Sequence, residues 1–324
     1  MGRPLGMATR QAYGKALVEA GKLYPNVVVL DGDLSKSTMT ADFAKAFPDR
    51  FINVGIAEAN MVGIAAGLAT TGKIPFASSF ACFLMCKGYD QLRLAVTYAE
   101  NNVKIVVSHG GISIGEDGVS QMSVEDVALA CALPKMVVMV PSDEHCTRQA
   151  VLAAAAHEGP TFIRTGRPKA PLVYSAPPAD FRIGKAIQVR DGSDVTIIAN
   201  GLMVAAALDA ADILQQRGVG ARVLDMHTVK PIDEEAVCRA AYETRAIVVA
   251  EEHLSYGGLG GVVAQAAARL RPTRMEFVAI DDTYAESGDM DGLMEKYGLT
   301  AKDIVAAAER ALAPAKAHPA AVTA

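Results

Sequence analysis

Apolar positions along the chain fall into two alternating patterns. Short runs of valine, isoleucine and leucine, almost unbroken by polar residues, occupy positions 27–30, 105–108, 136–140, 161–164, 195–199, 221–225, 246–250 and 275–280. Such a run predicts a strand covered on both faces, because a strand with one wet face alternates instead. Between the runs lie alanine-rich stretches of helical length, at 9–24, 58–71, 147–157, 203–217, 234–242 and 260–270. This rotation predicts an α/β fold of two domains, each a mainly parallel sheet with helices on both faces.

The rotation is interrupted at residues 167–184, RPKAPLVYSAPPADFRIG, a proline-rich stretch that reads as an interdomain linker. The predicted organisation is a first domain over 1–170, a linker over 171–189, a second domain over 190–312 and a flexible tail over 313–324. That tail, APAKAHPAAVTA, has little to bury.

Composition then narrows function by exclusion. A net charge of −5 leaves no basic face for nucleic acid and no polybasic membrane patch. No apolar run reaches bilayer-spanning length, and the N-terminal residues lack the apolar core of a secretion signal. The expectation is a cytoplasmic protein with neither nucleic acid nor membrane as a partner. Cys82 and Cys86 stand four apart with no second pair of ligands, so they read as core thiols and no metal site is expected on this chain. The chain also lacks a G-x-G-x-x-G strand–helix turn, a P-loop and a G-x-S-x-G elbow. Hydride transfer, nucleoside triphosphate hydrolysis and serine hydrolysis lose support accordingly.

In open α/β sheets, ligands meet the loops at the carboxyl ends of strands. LDGDLSKSTMT offers Asp31, Asp33, Ser35, Ser37 and Thr38, either as a polar turn and helix cap or as a wall facing a polar ligand. HGGISIGEDGVSQMSVED opens with His109, holds Glu116 and Asp117, and is too long and glycine-rich for a simple connection. SSFACFLMCKGYDQLRLA sets Phe80 and Phe83 three apart, as core or as a flat wall for a heteroaromatic ring. FIRTGRPKAP presents Arg164 and Arg167, suited to phosphate or carboxylate and equally to ion pairing.

NVGIAEANMVGIAAG, residues 53–67, raises a sharper question, because Glu58 sits among small apolar residues. A carboxylate there is costly unless it is paired, protonated or bonded to a ligand. The competing reading is a helix N-terminal glutamate resting on the helix dipole or on free backbone N–H groups.

Taken together and in order, these stretches resemble the C-terminal half of transketolase over residues 9–312. VGIAEANM is similar to the family's glutamate motif, DGDLSKST to its substrate loop and SSFACF to its pyrimidine-stacking loop. HGGISIGEDG is similar to its substrate and cofactor loop, and EEHLSYGGLGG to the signature of its C-terminal domain. The resemblance implies thiamine diphosphate chemistry. Glu58 would share a proton with ring nitrogen N1′ of the aminopyrimidine, favouring the imino tautomer whose nitrogen deprotonates thiazolium C2. Phe83, with Phe80 nearby, would stack on that ring, and Asp33 would face the thiazolium side or the bound ketose. Ser37 and Arg167 would hold the sugar phosphate, His109 would act in the substrate entrance as a second catalytic residue, and Asp117 would contact sugar hydroxyls. Gln121 departs from the pattern. It stands where the family usually has a histidine beside the reacting carbons, and a neutral amide cannot trade protons as imidazole does. The departure points to an unusual sugar and makes Gln121 a substrate-binding candidate.

The family's diphosphate-binding domain, with its G-D-G motif and downstream Asn ligands to Mg²⁺, has no counterpart in this sequence. The resemblance therefore implies a split enzyme whose separate N-terminal transketolase subunit holds the diphosphate and Mg²⁺. Two copies of each chain would form an α2β2 assembly acting on sugar phosphates. The alternatives are the β component of a 2-oxoacid dehydrogenase and a noncatalytic binding or scaffold relative.

Overall fold

The computed structural model describes residues 3–314. Its strands are β1 (Leu5–Ala8), β2 (Val27–Asp31), β3 (Phe51–Asn53), β4 (Ile74–Phe80), β5 (Lys104–Ser108), β6 (Val137–Met139) and β7 (Thr161–Arg164) in the first part of the chain. They continue as β8 (Lys169–Pro171), β9 (Ile187–Arg190), β10 (Val195–Ala199), β11 (Ala221–Asp225), β12 (Thr228–Lys230), β13 (Ile247–Leu254) and β14 (Met275–Ile280). The larger sheet has the order β12-β6-β7-β5-β4-β2-β3, and every pairing in it is parallel except that of β12 with β6. The second sheet, β14-β13-β10-β11-β9, is parallel apart from the edge strand β9. The two-domain α/β architecture with mainly parallel sheets thus agrees with the sequence pattern. The unbroken apolar runs have the cause inferred for them: β2, β5 and β7 are buried along their full length.

Helices cover both faces of the larger sheet. Thr9–Leu23 and Glu144–Ala156 lie together on one side, over a core that includes Tyr13, Leu17, Phe76 and Val151. On the other side the helix Glu58–Ala69 buries Met61, Val62, Ala65 and Ala66. Those residues belong to a core that runs on without a break into the second domain, through Ile198, Leu224 and Val263. β12 follows β11 in sequence yet hydrogen-bonds to β6, so the seam between the domains is both paired and packed.

The proline-rich stretch leads from β8, which pairs with β1, to β9. The C-terminal helix Ala301–Leu312 closes the second domain. Most of the predicted tail, residues 315–324, lies outside the described residues. Among the described residues, no helix is long and apolar enough to cross a membrane. No group of three or more His, Cys, Asp or Glu side chains there could hold a metal ion.

Candidate active site

Strand order explains why distant sequence pieces meet. β7, β5, β4 and β2 are consecutive neighbours running the same way, so their carboxyl ends share one edge of the sheet. The strand ends and the segments that leave there carry Arg167, His109, Phe80 and Asp33 respectively.

Glu58 is the first residue of its helix and only 3% exposed. Its Oε1 accepts one long hydrogen bond from Ser79 Oγ at 3.3 Å, and its Oε2 lies 4.0 Å from Lys87 Nζ. No backbone N–H of its own helix donates to it, and the capping position Ala57 offers no side chain for that purpose. The helix-capping reading of Glu58 therefore finds no hydrogen bond to support it, and the carboxylate keeps most of its acceptor capacity free.

Beside it stands an aromatic wall. Phe80, at the end of β4, stacks on Phe83 with ring centroids 5.4 Å apart and on His109 at 3.7 Å. Phe83 lies on the short helix Ala81–Lys87, and the Lys87 ammonium sits 4.4 Å from its ring centroid. The backbone of His109 is left-handed, with φ of 61°. Its Nδ1 hydrogen-bonds Ser108 Oγ at 2.8 Å. Burial, aided by the charges of Arg10 and Arg167, pushes the His109 pKa down to about 3. It is therefore a neutral imidazole at neutral pH, able to donate or accept a hydrogen bond.

The guanidinium groups of Arg10 and Arg167 line one cleft of about 200 Å³, together with Ser113, Gly115 and Glu116. Arg10 Nη1 donates to the Ser37 carbonyl at 2.8 Å, and Arg167 Nη1 donates to the Ile114 carbonyl at 2.5 Å and to Glu116 Oε2 at 3.1 Å. Burial, with Arg167 close by, lowers the Arg10 pKa, while Asp117 opposes the shift. Two guanidinium groups near one another at a polar opening are suited to an anion, and Glu116 in the same cleft already pairs with Arg167. Arg10 was not apparent among the sequence candidates, yet it carried a signal: a cation in the first turn of a helix opposes the helix dipole.

The remaining candidates are less tightly gathered. Asp33 is exposed, has a left-handed φ of 67°, and accepts from Asn53 Nδ2 at 2.9 Å. Asp117 is exposed at the rim. Gln121 is half-buried; its carbonyl takes the Cys82 thiol at 3.3 Å, tying its loop to the helix that bears Phe83. Arg164 does not face the cleft. It is buried in an ion pair with Asp126 at 2.9 Å.

Residues 6–172 match the family model for the transketolase pyrimidine-binding domain, and residues 184–304 match that for the transketolase C-terminal domain. The chain belongs to the transketolase family. A putative transketolase C-terminal section from Methanocaldococcus jannaschii is 45% identical to it, over 91% of this chain and 93% of the relative. A 6-deoxy-6-sulfo-D-fructose transketolase subunit from a Clostridium species is also 45% identical, over 92% of each chain. The solved structure of a split gene transketolase, described as an inactive beta4 tetramer, superposes with a TM-score of 0.89 at 50% identity and covers 95% of this chain and 99% of its own. This transketolase-family chain thus pairs the two domains found in C-terminal sections of the enzyme, and membership implies dependence on thiamine diphosphate.

Proposed function

We propose that this chain is the C-terminal subunit of a split transketolase, moving a two-carbon ketol unit between sugar phosphates. The observation that carries the reading is Glu58, a buried carboxylate with one long hydrogen bond, at the foot of an aromatic wall. A buried acceptor left open in this way fits a protonated ring nitrogen, and the Phe80–Phe83 wall fits the face of an aminopyrimidine.

Thiamine diphosphate, when bound, supplies the electron sink that the amino acids lack. The chain's own residues bind and orient. Glu58 would hold a proton at N1′ of the aminopyrimidine, and Phe80 and Phe83 would fix the plane of that ring. Arg10, Arg167 and Ser37 grip the anionic end of the sugar. Neutral His109 hydrogen-bonds the substrate at the entrance, Asp117 takes sugar hydroxyls and Asp33 lines the ketose side. Gln121 presents its amide near the reacting carbons, where it positions the substrate without exchanging protons.

The N-terminal subunit would hold the diphosphate and Mg²⁺, with two copies of each chain in the assembly. Subunit-length relatives support this division. So does the outer face of the Glu58 helix, where Asn60, Gly63 and Gly67 are exposed, the two glycines with open space beyond them. Ile56, just before the helix, is 79% exposed.

The test is co-expression with a partner carrying the diphosphate motif, followed by a screen of donors. One relative is named for 6-deoxy-6-sulfo-D-fructose, and a sulfonate is also an anionic end group, so the screen includes both ketose phosphates and that sulfonate. Ketol transfer by the pair and not by this chain alone is the expected result. Full activity from the single chain would refute the split arrangement, and turnover of a 2-oxoacid instead would favour a dehydrogenase component.

A further inference from the structure

The loop from His109 to Val124 gathers His109, Asp117 and Gln121, yet much of what shapes it comes from the other domain. Four of its apolar residues, Ile112, Ile114, Met122 and Val124, are 0 to 5% exposed and belong to the core of the C-terminal domain, packed with Val195, Val223 and Ile280, while Val119 is exposed. At the loop's base Gly111 N–H donates to the Ser123 carbonyl at 2.7 Å, forming an isolated bridge. The end of β13 meets both sides of that bridge. Glu252 Oε1 accepts the Ser113 N–H at 2.7 Å, Leu254 N–H donates to the Val124 carbonyl at 2.8 Å, and His253 Nε2 accepts the Ala128 N–H at 3.2 Å. Arg164, locked to Asp126, donates to the Glu252 carbonyl at 2.9 Å and to the Ser123 carbonyl at 3.2 Å.

Gly111 completes the fit. Its φ is +84°, and a Cβ there would lie 2.0 Å from Glu252 Oε1, so the carboxylate occupies the space a side chain would need. The next turn of the loop then bears on the anion cleft, because the Ile114 carbonyl accepts from Arg167.

We propose that the C-terminal domain serves as the template for the substrate loop, with Glu252 as the positioning residue that fixes the turn at Ser113–Gly115 and, through it, Arg167. The Glu252 carboxylate is 4% exposed, lies outside the lining of the Arg10–Arg167 cleft, and holds the loop through the Ser113 backbone. Its effect is therefore on where the anion-binding groups stand, and the clamp should tune substrate affinity more than the chemistry at Glu58. What the loop binds rests on the functional reading above; that Glu252 holds the loop does not.

Two measurements separate those claims. Amide hydrogen exchange on the full chain, without partner or substrate, compares wild type with Glu252→Ala, Glu252→Gln and Gly111→Ala. Losing a hydrogen bond to a buried carboxyl acceptor predicts exchange at residues 111–124 faster by about tenfold in Glu252→Ala. The Gln variant, which keeps an acceptor oxygen, should recover most of the protection, and Gly111→Ala should loosen the loop from the opposite side. The helix Glu58–Ala69 should exchange as in wild type in all three. In the assembled enzyme, Glu252→Ala should raise KM for the sugar substrate about tenfold while kcat moves less than about threefold. Unchanged loop exchange in both Glu252→Ala and Gly111→Ala would overturn the clamp, and a loosened loop with KM unmoved would overturn its reach through Arg167 to the substrate. If Glu252→Ala does not fold, Gly111→Ala decides. If the wild-type assembly turns over no sugar, the functional reading fails, and exchange alone still decides the clamp.

Discussion

Two buried glutamates, each beside the start of a helix, have opposite surroundings. Glu251 is 2% exposed, and its two oxygens accept the N–H groups of Leu259 and Gly260, both at 2.7 Å, at the head of the helix Leu259–Leu270. Glu58 is 3% exposed and, among the described residues, accepts no backbone N–H; its one hydrogen bond is the 3.3 Å contact from Ser79. Burial is thus the same and satisfaction is not. A carboxylate whose acceptor sites are filled by its own fold contributes stability; one left largely unfilled near an aromatic wall is available to a ligand. The sharpest break between them is Glu58→Gln. It should cut turnover of the assembled enzyme by about 10²- to 10⁴-fold while melting temperature hardly moves. Substantial residual activity would remove the distinction.

The converse substitution is Glu251→Ala. It leaves two helix-head N–H groups without their acceptor, and should cost roughly 2 to 4 kcal/mol of stability. Chemical denaturation would measure that loss, and the fraction that remains folded should keep its kcat. A specific loss of kcat with stability intact would place Glu251 on the functional side.

Asp225, at the end of β11, stands between these two cases. Its Oδ2 accepts from Ser142 Oγ at 2.7 Å and from Tyr174 Oη at 2.8 Å, while its buried Oδ1 has no partner among the described residues. Burial is the main cause that raises its pKa from 3.8 to about 7, with Asp143 adding to the shift and the two hydroxyls opposing it. The folded protein therefore binds this proton more tightly than the unfolded chain does. Stability from this group is fully present below about pH 4 and is lost as pH rises through about 7, by at most about 1.4 kcal/mol per pH unit. Asp225→Asn should flatten that part of the stability–pH curve in denaturant titrations between pH 5 and 8. A curve with unchanged slope would mean that the charged form is already accommodated at this seam.

Much of this architecture was legible in the sequence, for physical reasons that also mark its limits. Fully buried strands such as β2 and β5 read clearly because a two-sided core demands an unbroken apolar run. β4, equally buried and central, did not, since IPFASSF contains a proline and two serines. Pro75 is tolerated near the strand's start, and the serines are used: Ser78 Oγ bonds Tyr13 Oη at 2.7 Å, and Ser79 reaches Glu58. The candidate loops were visible through their glycines and charges. The pairing of Arg10 with Arg167 was not, because it joins residues far apart in the chain, and neither was the contact from Glu252 to Ser113, which spans 139 positions. Arg164 and Arg167 looked alike in sequence. Only the fold separates them, setting Asp126 against the first and an open cleft beside the second.

The smallest expected effect tests whether Glu58 is open as it stands or already has a working partner. Lys87 Nζ lies 4.0 Å from Glu58 Oε2, but its side chain is 54% exposed. At that distance and exposure, water screens the pair and the flexible lysine loses entropy by staying, so the pair contributes at most about 1 kcal/mol. Lys87→Met keeps an unbranched apolar side chain and removes the ammonium, and with it both the ion pair and the cation–π contact with Phe83. Stability should change by less than about 1 kcal/mol and kcat by less than about threefold, with the residual effect fading as salt is raised. A loss above about tenfold that survives high salt would mean that the ammonium sets the charge on Glu58 directly. Glu58 would then belong with Glu251 as a carboxylate whose partner is built into the chain.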